Sequence, residues 1–260
     1  MDSSPVTAMS ATSRMPLNAT SCALDDALRV AIAREGASTI VPTQAAVVVV
    51  DVRQWSCWQR QASHYLSERD RRQLARLRRA DEQQWRCMGY ALLRLWLSRT
   101  IGLPSAQVEV ARDADGRPLL ASGLGDISLS HAGPWFAFAF AWATQGRVGV
   151  DLESRERAAG MEGLEDYVCH PHERDSLVVH GQADHMGLLR LWTRKEAALK
   201  RAGLGLSLEP KTFVAPSDTP FRLPGLGDWV QVSELALEAP VCLALAHAPG
   251  MAPAAHWLRP

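Results

Sequence analysis

The stretch VGVDLE, residues 148–153, alternates Val148, Val150 and Leu152 with Gly149, Asp151 and Glu153. Successive side chains of a strand point to opposite faces, so this pattern sends the apolar set into a core and both carboxylates to the other face. Two acids at i and i+2 on a strand form a rigid pair of oxygen donors. Toward the N-terminus, the run Trp135–Trp142, the turn signal Thr144–Gly146 and the run Arg147–Leu152 predict a hairpin that leaves Asp151 and Glu153 at a strand end. Toward the C-terminus lies WTRKEAALK, residues 192–200, in which Trp192, Glu196 and Lys200 fall at i, i+4 and i+8. That spacing stacks them on one stripe of a helix and puts the Glu196 carboxylate beside the Lys200 ammonium. Three acids and a lysine are the hard oxygen donors and cation that suit Mg²⁺, an ion that commonly shares its coordination with substrate phosphates.

The remaining chain bounds the answer. Its 260 residues, 47% hydrophobic and 22% charged, fit one large or two modest globular domains. The 28 basic and 28 acidic residues cancel, which removes any global footprint for nucleic acid. Five cysteines, Cys22, Cys57, Cys87, Cys169 and Cys242, are widely spaced and contain no CxxC, arguing against a disulfide framework or zinc site. The N-terminus has no basic segment followed by an apolar one, and no apolar run approaches the roughly 20 residues that span a bilayer. A cytoplasmic protein with no membrane partner is expected. Residues 1–40 are expected to be a mobile extension, unpatterned over 1–24 and carrying a short helix around Leu24–Arg34.

Between these points, AAVVVVDV at 45–52 reads as a buried strand. Residues 66–101 read as helical, with Trp85, Met88, Leu92, Leu95 and Trp96 on one face and Gly102 and Pro104 as the stop. VEVARDADGRPLL predicts a strand, a turn at Asp113–Gly116 and a second strand. Helices are expected at 161–180 and 184–202, ended by Gly203 and Gly205. LSLEPKTFVA, WVQVSELAL and VCLALAHA are expected as three further strands. The element order suggests an α+β protein of two similar halves, 41–150 and 151–260, although the residues themselves contain no repeat.

Taken singly, each motif has a bland reading. Asp151 and Glu153 suit the solvated end of a hairpin, Glu196 and Lys200 a surface ion pair worth about 0.3–0.5 kcal/mol, and His131 a hydrogen-bonded structural histidine. The ordered set DGRPLL, SLSHAG, GVDLE and WTRKEAALK resembles the 4′-phosphopantetheinyl transferases, specifically the surfactin-synthetase type with two fused halves, from about Val47 to His247. The resemblance implies a pseudo-twofold pair of α+β halves in one monomer, with CoA and Mg²⁺ in the cleft between them. It implies attack by a serine hydroxyl of an acyl or peptidyl carrier protein on CoA, with release of adenosine 3′,5′-bisphosphate.

Carried over by residue, the resemblance makes Asp151, Glu153 and Glu196 the metal-binding acids, with Glu196 also assisting removal of the serine proton. Lys200, Ser130 and His131 become phosphate contacts, and Glu196, Lys200 and His131 the catalytic set. Arg117 stands where the family has a Gly-Lys-Pro lysine that reaches the 3′-phosphate of CoA, and Arg86 at another nucleotide-phosphate position. Ser128 replaces the asparagine usual two residues before the serine. The run Arg69, Arg71, Arg72, Arg76, Arg78 and Arg79 either helps hold the 3′-phosphate or is a solvated helix face. Carrier docking is expected on 155–185, with Arg155, Arg157, His170, His172 and Arg174, or on the 203–213 loop. His170, His172, His180 and His185 read as surface residues, since no HxxxH or cysteine partner supports a metal cluster. Two alternatives use the same residues: a Mg²⁺-dependent nucleotide phosphohydrolase, and a non-catalytic module that binds CoA or carrier proteins.

Overall fold

Side-chain alternation along three strands lays out the layers. In residues 44–51, Ala46, Val48 and Val50 enter one core while Ala45, Val47 and Val49 enter another. In residues 135–142, Phe136, Phe138 and Phe140 join the first core, and Trp135, Ala137, Ala139 and Ala141 the second. In residues 241–247, Val241, Leu243 and Leu245 face that same second core, whereas Cys242, Ala244 and Ala246 face a third. Near-continuous apolar runs of this kind belong to strands buried on both faces.

The structure, a computed structural model, describes residues 23–37, 40–114, 116–179 and 182–260. Its elements begin with α1 (Leu24–Arg34), β1 (Gln44–Asp51), α2 (Gln59–Ala62), α3 (Glu68–Leu74) and α4 (Ala80–Ile101). Then come β2 (Val110–Arg112), β3 (Pro118–Leu120), β4 (Gly125–Ala132), β5 (Trp135–Trp142), β6 (Gly149–Ser154) and α5 (Glu165–Val168). The chain ends with β7 (Val178–Val179), β8 (Gln182–Ala183), α6 (His185–Ala202), β9 (Phe221–Arg222), β10 (Trp229–Glu234), β11 (Val241–His247) and β12 (Ala252–Leu258). Two four-stranded sheets, ordered β12-β1-β5-β4 and β6-β11-β10-β9, pack face to face through the second core. The first sheet is covered on its far side by α1 and α4, the second by α6. The protein is therefore α+β, as its element order implied.

Several expectations are corrected. Strands β5 and β6 do not form a hairpin: β5 is paired on both edges, with β1 and β4, so β6 crosses to the other sheet and pairs with β11. The helix expected over 66–101 breaks, because Ser67 and Asp70 form a capping box that starts α3 and the apolar spacing lapses before α4. Over 161–180, α5, short 3₁₀ turns and β7 form in place of one helix, since Glu173 is drawn inward to a buried lysine. LSLEPKTFVA forms 3₁₀ turns and irregular chain rather than a strand.

The boundaries shift too. Leu24, Leu28, Ala31 and Ile32 of α1 are buried, so the folded body begins well before residue 41, and residues 1–22 lie outside the described residues. The division at 150 cuts β6, and β12 returns to pair in parallel with β1, placing the end of the chain in the first sheet. The weak apolar content of APAAHWL concealed that strand. Among the described residues, no helix is long and apolar enough to cross a membrane.

Candidate active site

The site lies where one edge strand of each sheet, β4 and β6, come together. Strands β4 and β6 are both edge strands and would leave backbone groups unpaired. Asp126, Ser128 and Ser130, alternating on β4, meet this need with side chains. Asp126 Oδ2 accepts from the Val148 N–H at 2.8 Å, Ser128 Oγ accepts from the Val150 N–H at 3.0 Å, and Ser130 Oγ donates to Asp151 Oδ1 at 2.8 Å. Ser128 thus holds β6 in place rather than the histidine loop.

Helix α6 comes very close to β6 from the other side. A Cβ on Gly149 would lie 2.1 Å from the Ala197 carbonyl oxygen, so only glycine permits this approach. Asp184 caps the start of α6 by accepting from the Gly187 N–H, and Gly203 ends it at φ +73. Near that end, Arg117 Nε donates to the Lys200 carbonyl and Arg147 Nη1 to the Ala202 carbonyl, cations where the helix dipole favours them. This closeness lets Lys200 Nζ reach Asp151 Oδ1 at 2.6 Å and Ser130 Oγ at 2.9 Å. One buried carboxylate from β6, one hydroxyl from β4 and one ammonium from α6 are joined in a three-way contact.

Glu196 and Glu153 lie alongside. Burial, then the charge of Asp151, pushes the Glu196 carboxyl up to about 7. The same two causes raise Glu153, which pairs with Arg157 and accepts from Trp192 Nε1 at 3.4 Å. Asp151 Oδ2 and Glu196 Oε1 are buried with no hydrogen-bond partner. Orphaned carboxylate oxygens on two neighbouring acids are suited to a hard divalent cation. Among the described residues, however, no three His, Cys, Asp or Glu side chains are gathered at ligand spacing. Lys200 occupies Asp151 Oδ1, and Arg157 holds Glu153 aside.

His131, one residue beyond Ser130, stacks near Phe136 at 5.2 Å. Burial, then the charges of Arg86 and Lys200, lowers its pKa to about 4, so the ring is neutral. Arg86 pairs with Glu82 at 2.6 Å, yet its buried Nε has no partner. Arg117 is tied to Asp126 and to the end of α6. In the arginine run, Arg71 and Arg72 pair with Glu68 and Arg79 with Asp81, all on exposed surface. Of the docking candidates, Arg155 donates to the Val241 carbonyl, Arg157 pairs with Glu153 and Arg174 with Asp166. His170 accepts from the His172 N–H and caps a 3₁₀ turn, His185 opens α6, and His180 lies outside the described residues.

Next to Lys200 opens a cavity of about 600 Å³, lined by Arg112, Arg117, Ser128, Leu129 and the 203–207 loop. That is the size of a small-molecule or cofactor pocket. Sequence reasoning missed Asp126, legible only as the first member of the alternating Asp126, Ser128, Ser130 set. It also missed Lys195, which neighbours Glu196 but points into the core, where its ammonium donates to Glu173 and to the carbonyls of Val168, Pro210 and Phe213.

Residues 147–233, which contain Asp151, Glu153, Glu196 and Lys200, match the family model of the 4′-phosphopantetheinyl transferase superfamily. This segment is similar to that superfamily. Three curated relatives agree. The chain is 24% identical over 156 residues to a phosphopantetheinyl transferase of Thraustochytrium sp., covering 54% of each chain. It is 26% identical over 137 residues to the 4′-phosphopantetheinyl transferase psf-1 of Bacillus pumilus, covering 49% of this chain and 54% of that one. To the 4′-phosphopantetheinyl transferase ffp of Bacillus subtilis it is 24% identical over 150 residues, covering 57% and 65%. The chain thus spans little more than half the length of the first two relatives. Ser130, His131, Arg117 and Arg86 fall outside the matched segment.

Proposed function

We propose that this protein transfers the 4′-phosphopantetheine group of CoA to a serine hydroxyl of an apo acyl or peptidyl carrier protein, giving the holo carrier and adenosine 3′,5′-bisphosphate. The supporting observation is the convergence of Ser130, Asp151 and Lys200 beside a cavity large enough for a nucleotide, in a chain whose residues 147–233 match the 4′-phosphopantetheinyl transferase superfamily. Two sheets, each backed by a long helix, support a reading as two related halves in one monomer; the protein would act in the cytoplasm.

Asp151, Glu153 and Glu196 would hold Mg²⁺, a role that suits the unpartnered oxygens of Asp151 and Glu196. When bound, the ion neutralises charge on the pyrophosphate of CoA. The chain's own groups do the rest. Lys200 supplies a compact ammonium to a phosphate oxygen. Ser130 and the neutral His131 orient the same phosphate by hydrogen bonding, and Arg86 adds positive charge behind them. Glu196 accepts the serine proton, directly or through water, provided the hydroxyl comes within hydrogen-bond reach.

The test is the intact mass of an apo carrier protein after incubation with this protein, CoA and Mg²⁺, beside Glu196→Ala and EDTA controls. A phosphopantetheine-sized gain lost in both controls is the expected result. CoA cleavage without carrier modification would favour the phosphohydrolase reading. CoA binding with no turnover on any carrier would leave a binding module.

A further inference from the structure

Two guanidinium groups, Arg112 and Arg117, line the 600 Å³ cavity, and their surroundings differ. Arg117 is nearly buried and ion-paired through Nη2 with Asp126, whose same carboxylate oxygen holds the Val148 N–H. Its Nε donates to the Lys200 carbonyl at 3.4 Å, and Nη2 lies 3.5 Å from the Val148 carbonyl. An anion arriving there would meet a charge already neutralised and a carboxylate needed by the seam between the sheets. Arg112 is half-buried on β2 and gives only Nη1 to the Gly116 carbonyl at 2.7 Å. Among the described residues, no carboxylate lies within ion-pair distance of it. Asp70, which shares a small adjoining recess with Arg112, is held by Arg94 at 2.6 Å, while Arg69 adds a second cation to that recess.

We propose that Arg112, not Arg117, receives the phosphate monoester at the nucleotide end of CoA, and that Arg117 is a positioning residue fixing α6 and so Lys200. This rests on the co-substrate reading above. Arg112 keeps Nε and Nη2 as donors, enough for the two-pronged contact that a terminal phosphate takes from arginine. Arg117, which ties β3 and β4 to the last turn of α6, fixes the wall of the cavity opposite.

Titration calorimetry with CoA and with dephospho-CoA, which lacks the 3′-phosphate, tests this at one fixed salt concentration. The unaltered protein is expected to prefer CoA, and Arg112→Gln to reduce that preference about tenfold or more. Arg112→Lys should keep part of it. Arg117→Gln should weaken both ligands by the same factor, leave their ratio intact and lower kcat on a carrier protein. An unchanged ratio in Arg112→Gln, or loss of the ratio in Arg117→Gln with Arg112 intact, overturns the proposal while the co-substrate reading stands. Failure of the unaltered protein to bind either form sinks both. If Arg117→Gln does not fold, the Arg112 pair alone decides.

Discussion

The two long helices pack on their sheets in opposite ways. Under α4, the strand brings bulk and the helix makes room: Phe136, Phe138 and Phe140 project from β5, and a Cβ on Gly89 would lie 2.5 Å from the Phe136 ring. Under α6, the strands are stripped down to Gly149, Asp151, Cys242, Ala244 and Ala246, and the helix backbone itself comes down on Gly149. Three phenyl rings hold the first helix away from its sheet, whereas small residues bring the second close. Only the second arrangement lets side chains one turn apart on a helix reach a strand carboxylate, so the chemistry sits on that side. Each helix also carries an inward cation that gathers irregular chain. Arg94 holds Asp70 and the Val108 carbonyl; Lys195, wholly buried, holds Glu173 and three carbonyls.

This contrast can be broken at several points. Lys195→Met should cost most, about 3–5 kcal/mol, because Glu173 is left buried without its counter-charge. Arg94→Met should cost less, since Asp70 is more exposed than Glu173. Urea denaturation of the two variants checks the ranking, and equal losses would remove the distinction between the anchors. Gly149→Ala and Gly89→Ala should each destabilise by about 1–3 kcal/mol through overpacking. They should part company in activity: Gly149→Ala displaces Lys200 from Asp151 and abolishes transfer, while Gly89→Ala keeps its turnover per folded molecule. Carrier-modification rates normalised to folded protein decide that point.

Ser128→Ala should cost about 1–2 kcal/mol by leaving the buried Val150 N–H unsatisfied, read as a lowered urea midpoint at unchanged slope. The last effect concerns pH. His131 titrates near 4 in the folded protein against 6.5 in its absence. On acidification the unfolded chain therefore takes up the proton first. Stability from this residue is whole above about 6.5 and falls between there and 4. His131→Gln should lose less stability than the unaltered protein between pH 7 and pH 5, with Arg86, Lys200, Glu82 and Asp151 as the charges around the ring; equal losses would show that the ring is already accessible to protons.

Much of the site could be read from local periodicity. Alternation in 148–153 separates Asp151 and Glu153 from the apolar face, and the 3.6-residue period places Glu196 and Lys200 on one stripe, because both patterns depend only on backbone geometry. The same reasoning failed where partners are distant. Nothing local says that β5 has both edges occupied, so the chain from Trp142 to Gly149 looked like a hairpin turn when it is a crossing between sheets. Nor does anything local mark APAAHWL as the parallel neighbour of β1, or Lys195 as buried when it stands between two charged-looking neighbours in an amphipathic helix.

By itself, the sequence determined which residues share a face, where α6 starts and stops, and that acids and a lysine are available to meet a phosphate. The tertiary structure alone decided that Ser130, Asp151 and Lys200 touch, that Arg117 is held by Asp126 while Arg112 is not, and that Glu196 is buried enough to hold its proton to near pH 7. Facing is set by the repeat of a single element. Contact, neutralisation and desolvation depend on how closely two elements approach, and here that distance is set by Gly149 on one strand and by three phenylalanines on another.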